Sequence, residues 1–106
     1  MGTALESLKR EKLADGLRLA PQQDLVASTV EALRAAFAKA LKGATGTLVL
    51  DLAQVEQTDS MGITLVLGLF KSCQAKGLGF RIQGANADIL RVFKLFNLTK
   101  FFEVAG

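Results

Sequence analysis

Asp59, Ser60, Met61 and Gly62 stand where a strand-like run, Thr47–Ala53 (TLVLDLA), has passed through a short polar loop and a long apolar helix begins. This order sets one hydroxyl beside one carboxylate at a helix N-terminus, where free backbone N–H groups and the helix dipole favour negative charge. A serine so placed can cap the helix, attack a substrate or accept a phosphate.

The nucleophile reading has a superficial basis, since strand, sharp turn, serine and helix also make up the elbow of hydrolases, and Gly62 fills the second glycine of G-x-S-x-G. Position 58 is Thr, however, and the chain contains no histidine. That absence removes Ser-His-Asp and Cys-His catalysis, the commonest general base and most zinc sites. No catalytic residue, metal site or cofactor site is therefore expected, and the chain is read as not an enzyme. Phosphate-cradling loops fare no better, because neither G-x-x-x-x-G-K-[ST] nor G-x-G-x-x-G occurs. A phospho-aspartate role for Asp51 would need an acidic cluster for Mg²⁺, and the early strands offer only Glu11 and Asp15 on a hairpin. Cys73 stands alone and falls on the expected buried face of its helix, which suits a small apolar core residue better than a reactive thiol.

The elements that must hold Ser60 can be followed along the chain. Leu8–Leu13 and Leu17–Ala20 flank Asp15-Gly16, a dipeptide suited to a type I′ hairpin turn. The first of these runs, LKREKL, is too charged for a central strand and belongs at a sheet edge. Ser28-Thr29-Val30-Glu31 matches a capping box, followed by the stripe Val30, Leu33, Phe37 and Leu41, with Gly43 and Gly46 ending that helix. Thr47–Ala53, almost continuously apolar, reads as a strand covered on both faces. The next helix spans about Ser60 to Ala75, with Ile63, Val66, Leu67, Phe70 and Cys73 as its core face. Gly77 and Gly79 stop it before a short strand around Phe80–Ile82. Asn86 can cap a third helix burying Ile89, Val92, Phe93 and Phe96, Asn97 suits a left-handed helix end, and Phe101–Val104 forms a last strand. A hairpin followed by α-β-α-β-α-β implies an α/β fold: a mixed sheet, parallel in part, packed against α-helices.

At 106 residues, half of them hydrophobic and 22% charged, the chain suits one globular domain, 1–106. The net charge of +3 is small, and the basic residues (Lys9, Arg10, Arg34, Lys39, Lys71, Arg81, Arg91 and Lys94 among them) look scattered, while all seven aromatics are Phe at core-like spacings. A nucleic-acid binder would gather its cations on a stripe with stacking aromatics, so no nucleic-acid partner is expected. No run approaches the roughly 18 apolar residues of a membrane span, so no membrane insertion is expected, and with no signal peptide apparent the expected location is cytoplasmic.

Beyond its core stripe, the Ser60 helix carries Met61, Leu65, Gly68, Leu69 and Ser72 on a second face. A helix packed on one side of a sheet needs only one apolar face. The second either contacts a partner protein or is buried beneath a neighbouring loop or helix.

Thr47–Gly62 (TLVLDLAQVEQTDSMG), then ITLVLGLFKSCQAKGLGFRI, then ILRVFKLFNLTKFFEV resembles the STAS domain of bacterial anti-sigma factor antagonists, over about Leu17 to Val104. The resemblance implies a single STAS-like domain that acts by partner switching in transcription regulation. On it, Ser60 is the residue phosphorylated by an ATPase-type serine kinase, often the anti-sigma factor itself, and a PP2C-type phosphatase reverses the modification. The unphosphorylated form binds the anti-sigma factor, with Asp59, Ser60, Met61, Gly62, Leu65 and Leu69 as the expected contact surface. An adaptor or subunit of a lipid-transport ATPase or chemosensory assembly, in which Ser60 only caps, is the alternative within the family. Two departures stand out. Met61 replaces the Ser or Thr common after the phosphorylated serine, and the chain ends soon after the last strand where many members add a helix, which implies less coverage and a tendency to homodimerise.

Overall fold

The computed structural model describes residues 8–106. Its hairpin joins β1 (Leu8–Leu13) to β2 (Gly16–Pro21), with Leu13 opposite Gly16. The two-residue turn is therefore Ala14-Asp15, one position earlier than expected, and neither residue has a positive φ, so the turn is not of type I′. Gly16 answers a different need: a Cβ there would lie 1.9 Å from the Thr47 carbonyl oxygen. It lets the first parallel strand pair approach.

After the hairpin come α1 (Val30–Leu41), β3 (Thr47–Asp51), α2 (Ser60–Ala75), β4 (Gly79–Gln83), α3 (Ala87–Leu95), a 3₁₀ turn (Leu98–Lys100) and β5 (Glu103–Val104). The sheet order is β1-β2-β3-β4-β5, antiparallel in the hairpin and parallel thereafter. The expected α/β architecture is thus present, with β1 at the edge.

Every crossover steps one strand in the same direction, and right-handed connections of that kind place their helices on one face. Accordingly Leu19, Leu48, Leu50 and Ile82 share one core cluster with Leu33 and Phe37 of α1, Ile63 and Val66 of α2, and Ile89 and Phe93 of α3. The 20 Å short axis accommodates one sheet and one helix layer. The strand Thr47–Asp51 is consequently covered by helices on one face only, contrary to the expectation of two. Its other face turns Val49 between Arg18 of β2 and Arg81 of β4 in register. Val49 is still buried, since β-strand neighbours shield one another.

Other local expectations divide. Asn86 Oδ1 accepts from the Ile89 amide at 2.8 Å, and Asn97 takes the left-handed conformation at φ 60°. The capping box at Ser28 does not form: the N-cap is Thr29, whose hydroxyl accepts from the Val26 amide and donates to the Asp24 carbonyl, while Glu31 pairs with Arg34. Phe96 is 50% exposed rather than core, because α3 ends one residue before it. The last strand is shorter than expected because the 3₁₀ turn takes up its approach, while Phe102 enters the core and meets Phe70 and Phe80 at ring separations of 5.1 and 5.0 Å.

Since the parallel strands point one way, all three helices begin at one end of the domain. Glu31, Asp59 and Asp88 lie in first turns or at an N-cap, with Asp24 and Glu56 in the loops before them, and Lys39, Lys42, Lys76, Lys94 and Lys100 lie in last turns or at C-caps. Each set complements the helix dipoles.

Candidate functional site

Ser60 is the first residue of α2, at the end of the sheet where the parallel strands finish and the helices start. Two loops meet there. The segment before α1 pairs with the segment before α2 through a parallel bridge between Leu25 and Thr58. The Leu25 amide donates to the Gln57 carbonyl at 3.1 Å, and the Asp59 amide donates to the Leu25 carbonyl at 3.2 Å. Asp24 Oδ1 accepts from the Glu56 and Gln57 amides at 2.9 and 3.3 Å, so one carboxylate clamps the far loop. From the third loop, Asn86 Nδ2 donates to the Glu56 carbonyl at 3.1 Å.

Asp59 is the N-cap, as its type and position suggest. Oδ1 accepts from the Gly62 amide at 3.0 Å, and Oδ2 accepts from the Ala27 amide at 3.0 Å. Both oxygens are therefore engaged, one within the helix and one across the loops. The Gly62 amide, aided by those of Ala27 and Met61, holds the Asp59 carboxyl below its ordinary range despite some desolvation.

Gly62 is buried, and the reason is steric. A Cβ there would stand 2.0 Å from the Leu25 carbonyl oxygen and 2.3 Å from Thr58 Oγ1. The glycine of the Asp-Ser-x-Gly turn thus admits the neighbouring loop and presents no side chain outward. Ser60 is exposed, and its carbonyl accepts from Thr64 Oγ1 at 3.0 Å. Its own hydroxyl makes no hydrogen bond among the described residues. Met61, beside it, is 43% exposed.

The structure thus brings Asp59, Ser60, Met61 and Gly62 together and parts them from Leu65 and Leu69. Those two leucines are each only 4% exposed and line one groove with Phe37 and Leu41 of α1. Their apolar face is core, buried beneath the neighbouring helix, and the expectation that they form an exposed partner surface is corrected on that ground. At a rise of about 1.5 Å per residue, Leu69 also lies roughly 13 Å along the axis from Ser60. Sequence reasoning missed Asp24 and Ala27, the residues that join the two loops at Ser60. An aspartate six residues before a helix gives no hint that it serves a loop more than thirty positions away.

Asp51 lies in an ion pair and, among the described residues, in no acidic cluster. Its carboxylate faces Arg18, the Ala53 amide at 2.9 Å and Gln83 Nε2 at 3.3 Å on the helix-free side of the sheet. Among the described residues no group of acidic, histidine or cysteine side chains is arranged to hold a metal ion. Nor is any described helix long and apolar enough to cross a membrane. Cys73 is fully buried, and burial pushes its thiol up to about 11.

Comparison with known proteins agrees with this architecture. The family model described as "Mlab, STAS domain" matches residues 9–104, and the chain belongs to that family of STAS domains. No curated protein matches the sequence. Among solved structures, a Thermotoga maritima protein assigned as an anti-sigma factor antagonist is 19% identical, with 97% of this chain and 89% of that one covered at a TM-score of 0.82. An anti-sigma factor antagonist from Mycobacterium paratuberculosis is 20% identical over 92% of this chain and 83% of its own, at 0.81. SpoIIAA, an anti-sigma factor antagonist solved in its unphosphorylated form, is 20% identical over 91% and 86%, at 0.67. At these identities the likeness is one of fold.

Proposed function

We propose that this STAS domain is an anti-sigma factor antagonist that works by partner switching in the cytoplasm. It binds an anti-sigma factor with serine-kinase activity while Ser60 carries a free hydroxyl and releases it once Ser60 is phosphorylated; a PP2C-type phosphatase restores the binding form. On this reading the domain catalyses nothing itself. Asp59 and Gly62 fix the turn, and Ser60 and Met61 meet the partner.

The observation that carries the reading is the state of the two neighbouring side chains. Asp59 spends both carboxylate oxygens on backbone amides, whereas the exposed Ser60 hydroxyl makes no hydrogen bond among the described residues. The capping duty is already met, and the hydroxyl is left accessible to a kinase. A phosphate adds about −1.5 to −2 charges, which the N-terminus of a sixteen-residue helix tolerates within the fold. At a dry contact the same charge carries a desolvation cost, so it expels a partner without unfolding the domain.

A second reading keeps the fold and omits the phosphate: a STAS adaptor or subunit of a lipid-transport ATPase or chemosensory assembly. The matching family model bears the MlaB name, not that of an anti-sigma factor antagonist, and this observation favours it. Affinity capture with wild-type and Ser60→Asp baits separates the two. Switching requires a kinase-like ATPase held by the wild type and lost from the Asp bait, together with phosphate on Ser60 by mass spectrometry. Transporter or receptor-complex subunits retained by both baits select the adaptor.

A further inference from the structure

The end of the domain opposite Ser60 contains a cleft of about 530 Å³ between β1 and the C-terminal end of α1. Arg10 and Lys12 reach it from β1, and Lys39 and Lys42 from the end of α1 and the loop after it. No carboxylate lines it; Glu11 and Asp15 each stand between two lining residues, but Glu11 lies on the opposite face of β1 and pairs with Arg18, and Asp15 lies on the adjoining turn. Among the described residues, none of the four cations takes part in a salt bridge, although Arg18, Arg34 and Arg91 all do.

Ordinary structural duties account for only part of this grouping. Lys39 and Lys42 complement the negative end of the α1 dipole. Charge on β1 discourages pairing at the sheet edge, but Lys9 and Glu11 already supply it on the other face. Arg10 and Lys12 alternate with them and share the face of Leu8, which is part of the core. They are turned toward the helix layer, where two further cations stand at the end of α1. Four like charges around one concavity repel, and beyond the carbonyl end of α1 no described lining group offsets that repulsion.

The geometry points to a binding site for a small polyanion, a molecule with clustered phosphate groups. The cleft has the size of a small-molecule site. Its cations can meet three or four negative charges, and Arg10 can engage a phosphate bidentately. No aromatic side chain lines it, so recognition rests on the phosphates and not on a stacked ring. The site is separate from Ser60 and does not depend on the function assigned to that residue.

Titration of the whole chain with sodium tripolyphosphate at low ionic strength, followed by calorimetry and by backbone amide NMR, tests the assignment. The expected result is saturable one-to-one binding, with shifts confined to Arg10–Leu17 and Lys39–Thr45. All four cations are exposed, so neutral variants fold. Lys39→Gln with Lys42→Gln, and separately Arg10→Gln with Lys12→Gln, weaken binding about tenfold or more, as loss of charge-assisted contacts requires. Lys94→Gln with Lys100→Gln leaves it unchanged. Binding that does not saturate, survives both cleft variants, spreads over Lys71, Lys76, Lys94 and Lys100, or is reproduced by sodium sulfate of equal ionic strength overturns the site.

Discussion

Arg18 holds Asp51 with two nitrogens at once, Nε at 2.9 Å and Nη2 at 2.8 Å, across the β2–β3 pair on the sheet face that carries no helix. Asp51 is only 6% exposed, so this pair ties the two strands where hydrophobic packing does not. Burial opposes ionisation of Asp51, yet the Ala53 amide, Arg18 and Gln83 outweigh it and hold the carboxyl below its ordinary value of 3.8. Removing one partner of a buried pair is costly, and with the Arg18 side chain one-third exposed Arg18→Ala is expected to lose about 1–3 kcal/mol. A carboxylate with a depressed folded pKa stabilises at pH above its unfolded value, and that contribution fades as pH falls through the folded value. Urea unfolding should therefore show a gap between wild type and Arg18→Ala at neutral pH that narrows below 3.8. A gap that stays constant into acid would disprove the role given to the pair.

The double acceptance by Asp59 makes a separate prediction. Asp59→Ala removes the cap and the tie to Ala27, and should lower the midpoint of unfolding. Asp59→Asn keeps a good capping oxygen and should recover most of the loss. Thermal unfolding of both variants checks this, and equal destabilisation would show that capping geometry is not what Asp59 supplies.

Gly62→Ala should be damaging although it adds one methyl group. The Cβ would meet backbone at the Leu25 carbonyl, which cannot swing aside as a side-chain tip can. Overpacking of this kind costs about 1–3 kcal/mol. Hydrogen exchange should quicken at the amides of Leu25 and Asp59, which bridge the two loops. Unchanged protection there would refute the close-approach account.

Burial reverses what a charge on α2 should do. Leu69→Asp is expected to unfold the domain, since Leu69 is 4% exposed, and Leu69→Ala to cost about 2–5 kcal/mol. Met61→Asp should change stability by less than about 0.5 kcal/mol while weakening partner capture. A folded Leu69→Asp variant by circular dichroism would return that leucine to the surface.

Cys73 should resist thiol reagents in the native state, because it is buried and its pKa is raised to about 11. Its labelling by a disulfide reagent should follow global unfolding and accelerate in step with urea. Prompt labelling without denaturant would show a local opening of α2.

The sequence disclosed its regular elements because hydrophobic period and helix stops are local signals. Ser60–Ala75 is found with its expected bounds, and the Asn86 cap and the left-handed Asn97 are where short-range chemistry places them. Long-range pairing was hidden. Thr29 serves the loop behind it in place of a capping box, and Asp24 reaches forward to Glu56 and Gln57. The pattern at Met61, Leu65 and Leu69 showed a second apolar face, but only the position of α1 decides that its lower part is covered. The cations of the cleft likewise looked dispersed, since strand alternation and a helix end bring together residues some thirty positions apart.

Side-chain charges, set against the dipoles of the three aligned helices, give the domain an electrical orientation, with the acidic residues of the helix starts at the Ser60 end and the lysines of the helix ends at the other. A partner drawn by long-range attraction to the Ser60 end must present a basic surface, and its association rate must fall as salt rises. Phosphate on Ser60 would deepen the same negative field and hasten such an encounter. Release on phosphorylation then has to come from the short-range contact, through faster dissociation, whereas an acidic partner would be repelled before it arrives. Association and dissociation rates measured at two salt concentrations would therefore reveal the sign of the surface that meets Ser60.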